Sequence, residues 1–344
     1  MFEKPLNSVT RVKAHPAQSP PAPRIIDIRA AKRDIELREA LQQSIHSGST
    51  ALPDLLLWDE QGLRLFEEVT YCPSYYLTGE EISLLEKNRL QIANHIPDGS
   101  MLVELGSGGV FYHHQNLRKT KILLDALEEL GRRVDYFALD LSYSELARTL
   151  RPVSGLYRHV NCYGLLGTYD DGRRWLQHPN LRMRPKTILF LGSTLGNMEK
   201  DDAAGFLNSF TDVECGLLLG LDGCKREKEV LAAYDDPEGI NHRFVKNGLV
   251  RANRILGKEA LELHNWDVQG GWDAENGVHT QYYSPSTDTF VEGVRFRAGH
   301  RLVAARSHKY DASDRDTLFK RAGLTPLDSW SSEKQYNLLY LRSA

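Results

Sequence analysis

The chain has 344 residues, of which 41% are hydrophobic, enough for a buried core in one large domain or two. Its formal net charge of -3 speaks against a general nucleic-acid binder, and no apolar run approaches the roughly 20 residues of a membrane-spanning helix. Cys72, Cys162, Cys215 and Cys224 are far apart and form no C-x-x-C pair, and MFEKPLNSVTRVKAH lacks a signal-like apolar segment, so a reduced, cytoplasmic protein is expected.

Residues 1–23 end in HPAQSPPAP and read as a flexible proline-rich arm. IIDIRA is a short apolar start, and residues 31–48 carry Ile35, Leu37, Leu41 and Ile45 at helical spacing. Thr78 and Glu81 have the capping-box form for a helix beginning near Glu80. From about residue 100 strands and helices alternate. MLVEL, VDYFALDL, KTILFLGSTLGN and GLLLGLDG read as buried strands. KTKILLDALEELGRR, SYSELARTLRP and KDDAAGFLNSF read as the helices between them, the first closed by Gly131. This predicts an α/β protein with a parallel, doubly wound sheet. GVHTQYYS, TFVEGVRF and RLVAARSHKY partly alternate, as antiparallel strands of a smaller α+β lobe do.

In a doubly wound sheet ligands bind at the carboxyl ends of the strands. Gly106 and Gly108 of ELGSGG let the backbone approach a ligand closely, and Asp140 at the end of the next strand suits ribose hydroxyls. A helix N-terminal carboxylate is the plainer reading of Asp140. Glu104 before the loop is poor for a pyrophosphate and suits a cationic ligand such as S-adenosylmethionine. A nicotinamide-dependent dehydrogenase is the rival class. His113 and His114 are adjacent and lack the spacing to share one helix face, so no metal is expected.

LLLWDEQGLRLFEEVTYCPSYYLTGEE, LVELGSG, KTKILLDAL, LFLGSTLGN and AAYDDPEGI occur in that order, and together they resemble the histidine-specific, ergothioneine-type methyltransferase family over about residues 24–344. The resemblance implies a Rossmann-like domain that binds S-adenosylmethionine (80–224 plus 307–344) and a smaller α+β substrate-binding domain (24–79 plus 225–306). It implies cofactor contacts at Trp58, Gly106, Gly108, Lys119 and Asp140. The family's Asp-Phe pair after the following strand is matched to Gly164 and Leu165, a departure from the pattern, and the insertion between Gly108 and Lys119 is another. Asn197, Tyr234 and Tyr75 match residues that hold the amino acid, with Tyr75 able to relay a proton. A plain turn residue, a helix end and a core aromatic are the ordinary readings of these three.

In histidine-methylating members a glutamate precedes a serine by two positions and the pair binds imidazole. Here the serine is Ser307 and Ala305 stands for the glutamate, while Thr280 is matched to a methionine on the opposite wall. A larger pocket without a carboxylate suits an indole, whose single N–H needs one acceptor. The expectation is therefore an α-N-methyltransferase of L-tryptophan, resembling the fungal tryptophan-methylating members most and adding one and two methyl groups. A prenylated tryptophan is the nearest alternative substrate and histidine the third. A chain that has lost activity and only binds is the non-enzymatic alternative. A small-molecule amino acid is the expected partner, with no nucleic acid, no membrane and no second subunit.

Overall fold

The computed structural model describes residues 22–30, 34–107, 118–211 and 215–344. Most of the proline-rich arm, Gly108, His113 and His114 lie outside the described residues.

In chain order the first elements are β1 (Arg24–Asp27), α1 (Asp34–His46), α2 (Glu60–Tyr71), α3 (Tyr76–His95) and β2 (Ser100–Leu105). Then come α4 (Arg118–Glu129), β3 (Val134–Asp140), α5 (Tyr143–Leu150), β4 (Val160–Leu166), α6 (Tyr169–Leu176) and β5 (Lys186–Phe190). They are followed by α7 (Lys200–Asn208), β6 (Cys215–Asp222), α8 (Glu227–Tyr234) and α9 (Ile240–Leu256). The chain continues through β7 (Trp266–Asp273), β8 (Val278–Pro285), β9 (Thr289–Val291), β10 (Val294–Phe296) and β11 (Leu302–His308). It closes with α10 (Ala312–Ala322), β12 (Leu324–Ser331) and β13 (Tyr336–Ser343).

The large sheet has eight strands in the order β1-β4-β3-β2-β5-β6-β13-β12. The first six are parallel, and β13 and β12 run as an antiparallel pair beside β6. Every residue of β2, β5 and β6 is buried, as their unbroken apolar runs demand of strands covered on both faces. The strand order reverses between β2 and β5, which opens a crevice at their carboxyl ends. ELGS leaves β2 there and GSTLGN leaves β5, so the two loops singled out by sequence flank one crevice.

A separate antiparallel sheet, β11-β8-β7, and the β9–β10 hairpin form the smaller sheet layer. Helix α9 packs on the small sheet closely enough that a Cβ at Gly248 would lie 2.2 Å from the Tyr283 hydroxyl. That hydroxyl donates to the Val245 carbonyl at 2.7 Å.

Three expectations are corrected. Residues 24–27 do not stay with the small lobe but extend the large sheet as β1, because Ile25 and Ile26 pair in register with Gly164 and Leu165 of β4. The boundary between 306 and 307 falls inside β11, whose pairing with β8 continues unbroken through Ser307 and His308. Helix α3 starts at Tyr76 after Tyr75, which makes no side-chain cap. Thr78 and Glu81 are therefore inside the helix and buried. Glu81 serves tertiary structure, accepting from the Tyr336 hydroxyl at 2.6 Å and the Gly192 amide at 2.8 Å.

Candidate active site

At the glycine loop, Gly106 has φ 73°, a conformation that glycine adopts without the Cβ penalty. A Cβ there would lie 2.7 Å from the Tyr169 hydroxyl. The amides of Gly106 and Ser107 donate to the Leu139 carbonyl at 3.0 and 3.2 Å, which ties the loop to the end of β3. Asp140 follows at once, nearly buried, and accepts from the Ser142 amide at 3.0 Å. The Ser107 Oγ is buried with no hydrogen-bond partner among the described residues. An open turn, a carboxylate and an orphaned hydroxyl at one crevice fit a polar ligand with ribose-like hydroxyls.

Glu104 does not face this opening. Its carboxylate accepts from Thr120 at 2.7 Å and from the Tyr136 hydroxyl, beneath the loop. Burial pushes it up to about 7, against those hydrogen bonds and the nearby Lys119. The direct pairing with a cationic ligand expected from sequence is thus replaced by a supporting role. Lys119 likewise bonds to protein, pairing with Glu81 at 2.5 Å.

Gly164 and Leu165 are corrected. Leu165 is wholly in the core, and a Cβ at Gly164 would meet both Ile25 and Leu150 at 3.0 Å. Both sit within β4, short of its carboxyl end. The residues that leave β4 toward the crevice are Thr168 and Tyr169. Thr168 caps α6 in a capping box with Asp171. Tyr169 is half-buried, and burial, then Asp140, raise its hydroxyl above the usual tyrosine value. A polar residue followed by an aromatic one is closer to the family's Asp-Phe pair than Gly-Leu is.

The second half of the site is built around Lys309. Its ammonium is fully buried and donates to three acceptors: Asp222 at 2.8 Å, Tyr234 at 2.9 Å and Ser307 at 3.1 Å. Burial alone would lower this lysine. Asp222 and Tyr234 more than offset that and hold it above the usual lysine value. Asp222 also accepts from the Tyr76 hydroxyl at 2.6 Å. Tyr234 and Ser307 share a hydrogen bond of 2.6 Å. Sequence reasoning found Tyr234 and Ser307 but missed Lys309, Asp222 and Tyr76. The available signal was Lys309 two places after Ser307 on the same strand face, and Asp222 at the carboxyl end of β6.

Around this cluster stands an aromatic wall. Tyr75 meets Tyr234 edge-on at 5.9 Å and Phe66 at 6.2 Å, and Phe66 and Phe244 each lie 5.2 Å from Trp58. Trp58, expected at the cofactor, is placed in this row. Burial, then Tyr234, Asp222 and Glu81, raise the Tyr75 hydroxyl well above the usual tyrosine value. At neutral pH Tyr75 is a proton donor and not a base.

Strand register assigns the pocket faces. Ser307 pairs with His279, and Ala305 with Gln281. Directly opposed residues share a face, so these four belong together. Thr280 pairs with Arg306 and lies on the other face. Thr280 therefore does not oppose Ala305, and Gln281 takes that place. A one-residue slip in reading a strand exchanges its faces. His279 stacks on Tyr234, with centroids 4.4 Å and planes 14° apart. Burial, then Lys309, hold its imidazole down at about 3, so it is neutral at physiological pH.

Asn197 is exposed at the end of the short turn Thr194–Asn197, and its amide bonds to no described residue. That turn lies against β11, where a Cβ on Gly196 would come 2.8 Å from the His308 carbonyl. Among the described residues no group of three His, Cys, Asp or Glu is placed to hold a metal ion, and no helix is long and apolar enough to cross a membrane.

The protein class follows from the position of these groups. A glycine turn and a neighbouring carboxylate meet at the reversal point of a parallel sheet that ends in an antiparallel pair, the plan of an S-adenosylmethionine-dependent methyltransferase. Residues 36–344 match the histidine-specific, S-adenosylmethionine-dependent methyltransferases, and the chain belongs to that family. It is 44% identical over 321 residues to ergothioneine biosynthesis protein 1 of Neurospora crassa, covering 91% of this chain and 36% of that protein. The chain thus spans about a third of that relative's length. It is 31% identical over 342 residues to the N-methyltransferase imqF of Aspergillus flavus, covering 96% of this chain and 89% of the relative. It is 31% identical over 332 residues to the 4-dimethylallyltryptophan N-methyltransferase easF of Arthroderma benhamiae, covering 90% and 94%.

Proposed function

We propose that the protein methylates the α-amine of an aromatic amino acid, L-tryptophan first, giving N-methyl- and N,N-dimethyl-L-tryptophan. The observation that carries the reading is Ala305. It stands beside Ser307 on a face walled by aromatic rings, where the resemblance implies a glutamate in enzymes for histidine. Losing a charged acceptor for imidazole removes roughly 1.5–3 kcal/mol of recognition. An indole instead gains from burying its apolar faces. Within this reading β7, β8, β11, α8, α9 and most of residues 28–79 hold the amino acid, while the large sheet holds the cofactor. The chain acts as a cytoplasmic monomer, which light scattering checks for its oligomeric state.

S-adenosylmethionine supplies a methyl group on a sulfonium, and Gly106, Ser107, Asp140 and Tyr169 are the residues that would hold it. The remaining work falls to the substrate side. Each N–H of Lys309 is already spent on one acceptor. Tyr234 and Ser307 both accept from it, and one of the two hydroxyls donates to the other. One hydroxyl proton is left for the substrate, so the pair donates, which suits the carboxylate. The Asn197 amide can donate to the carboxylate and accept from an amine N–H, leaving the nitrogen lone pair free for in-line attack. The amine must shed its proton first. Water suffices as the acceptor, since burial keeps the Tyr75 hydroxyl protonated. Retained contacts to the amine disfavour a third transfer, which would give a permanent cation.

The test is a competition assay read by mass spectrometry, with tryptophan, a prenylated tryptophan and histidine offered together with S-adenosylmethionine. Tryptophan carrying one and two added methyl groups as the main product supports the reading. Methylated histidine as the main product overturns the substrate assignment, and a trimethylated main product overturns the methyl count.

A further inference from the structure

Among the described residues, the face that carries Ala305 and Ser307 holds two side chains with an enclosed, unpaired nitrogen, His279 and Gln281, and of these Gln281 stands directly across from Ala305. Gln281 is 5% exposed, and its Nε2 is enclosed without a hydrogen-bond partner among the described residues. Ser307 is engaged by Tyr234 and Lys309. His279 also leaves its Nε2 unpaired, but its ring is held flat against Tyr234 and that nitrogen lies on the β7 side, 3.1 Å from the place of a Cβ on Gly270. Ala305, directly across from Gln281, has no polar group to offer, and a register shift between Val303 and Ala305 immediately precedes it. Burying an amide unpaired is costly, so a free amide in a substrate pocket marks a group that pairs with the substrate.

We propose that Gln281 is the specificity residue that receives the ring N–H of the substrate. This inference rests on the tryptophan reading above. An amide presents either its carbonyl or its NH2 after a half-turn, and only the carbonyl matches an indole N–H. The vacancy at Ala305 and the free amide at Gln281 are two sides of one feature. A carboxylate at position 305 would face Gln281 at cross-strand distance, about 5 Å between Cβ atoms, and would take its NH2. With alanine there, the amide is left for the ligand and the space in front of it is cleared for a bicyclic ring.

The experiment compares kcat/KM for tryptophan with that for 3-benzothienylalanine, which has the same shape but sulfur in place of N–H. The wild-type enzyme is expected to prefer tryptophan by on the order of tenfold or more. Gln281→Met keeps the side-chain length and is expected to bring the two substrates within about threefold of each other, by lowering tryptophan turnover and leaving the analogue unchanged. Binding of S-adenosylhomocysteine by calorimetry verifies that the variant is folded. A wild type without the preference, or a folded Gln281→Met variant that retains it, overturns the inference. Failure of wild-type enzyme to methylate tryptophan at all is a different outcome, and it overturns the substrate reading beneath it.

Discussion

Lys309 and Asp222 lie 2.8 Å apart with neither side chain exposed to solvent, joining β6 of the large sheet to the strand that carries Ser307. The pair fastens the two sheets together behind the reacting groups. Removing one member of a buried ion pair leaves a bare charge and costs about 3–5 kcal/mol. Lys309→Met is expected to lose stability of that size in urea unfolding. The double variant Lys309→Met/Asp222→Leu should recover part of it, because the uncompensated carboxylate is gone.

Tyr234 and Tyr75 separate under substitution. Tyr234→Phe deletes the hydroxyl that accepts from Lys309 and shares a bond with Ser307, so kcat/KM should fall by roughly ten- to a hundredfold. Tyr75 bonds to no described residue through its hydroxyl, and its ring packs on Phe66 and Tyr234. Tyr75→Phe should leave stability nearly unchanged. A fall in kcat accompanied by a moved pH profile assigns the hydroxyl to proton transfer, whereas an unaltered profile limits Tyr75 to packing.

Ala305→Glu should transfer preference from tryptophan toward histidine. The introduced carboxylate would meet Gln281 and fill the space opposite it. The ratio of methylated tryptophan to methylated histidine in a competition mixture is expected to drop at least tenfold.

Gly106→Ala meets two obstacles, the positive φ and the Tyr169 hydroxyl 2.7 Å from the new Cβ. Calorimetry should show weakened S-adenosylhomocysteine binding. Adding Tyr169→Phe removes the collision but not the backbone strain of about 1 kcal/mol, so partial recovery is expected.

Glu104 gives a pH dependence of defined sign. Its folded value of about 7 lies above the model-peptide value of 4.5, so the native state holds a proton that the unfolded chain has released. Its contribution to stability is full below the unfolded value and declines as pH rises toward 7. Stability curves of wild type and Glu104→Gln should therefore diverge between those limits, the wild type losing more as pH rises. Parallel curves would mean that folding does not raise the Glu104 carboxyl above its ordinary value.

The parallel sheet was legible because unbroken apolar runs such as MLVEL and GLLLGLDG have few other places to go. The loops ELGSG and GSTLGN were legible because glycine and small polar residues at strand ends have a local backbone meaning. Side-chain partners were less accessible. Glu81 looked like a helix cap and proved to be a buried acceptor for Tyr336 and Gly192. Glu104 looked like a ligand group and bonds inward to Thr120 and Tyr136. Thr280 was expected across from Ala305, but a strand exchanges faces at each residue, and the register puts Thr280 beside Arg306 on the other face.

Hydrophobic periodicity and strand-end glycines are local properties, and from them the amino-acid order settled the α/β class, the position of the crevice and the family. Lys309 with Asp222, and Gln281 across from Ala305, are pairings between strands brought together only by folding. Cross-strand register and shared burial set which charges are neutralised and which polar group stays free, and neither can be read from positions 87 or 24 residues apart along the chain.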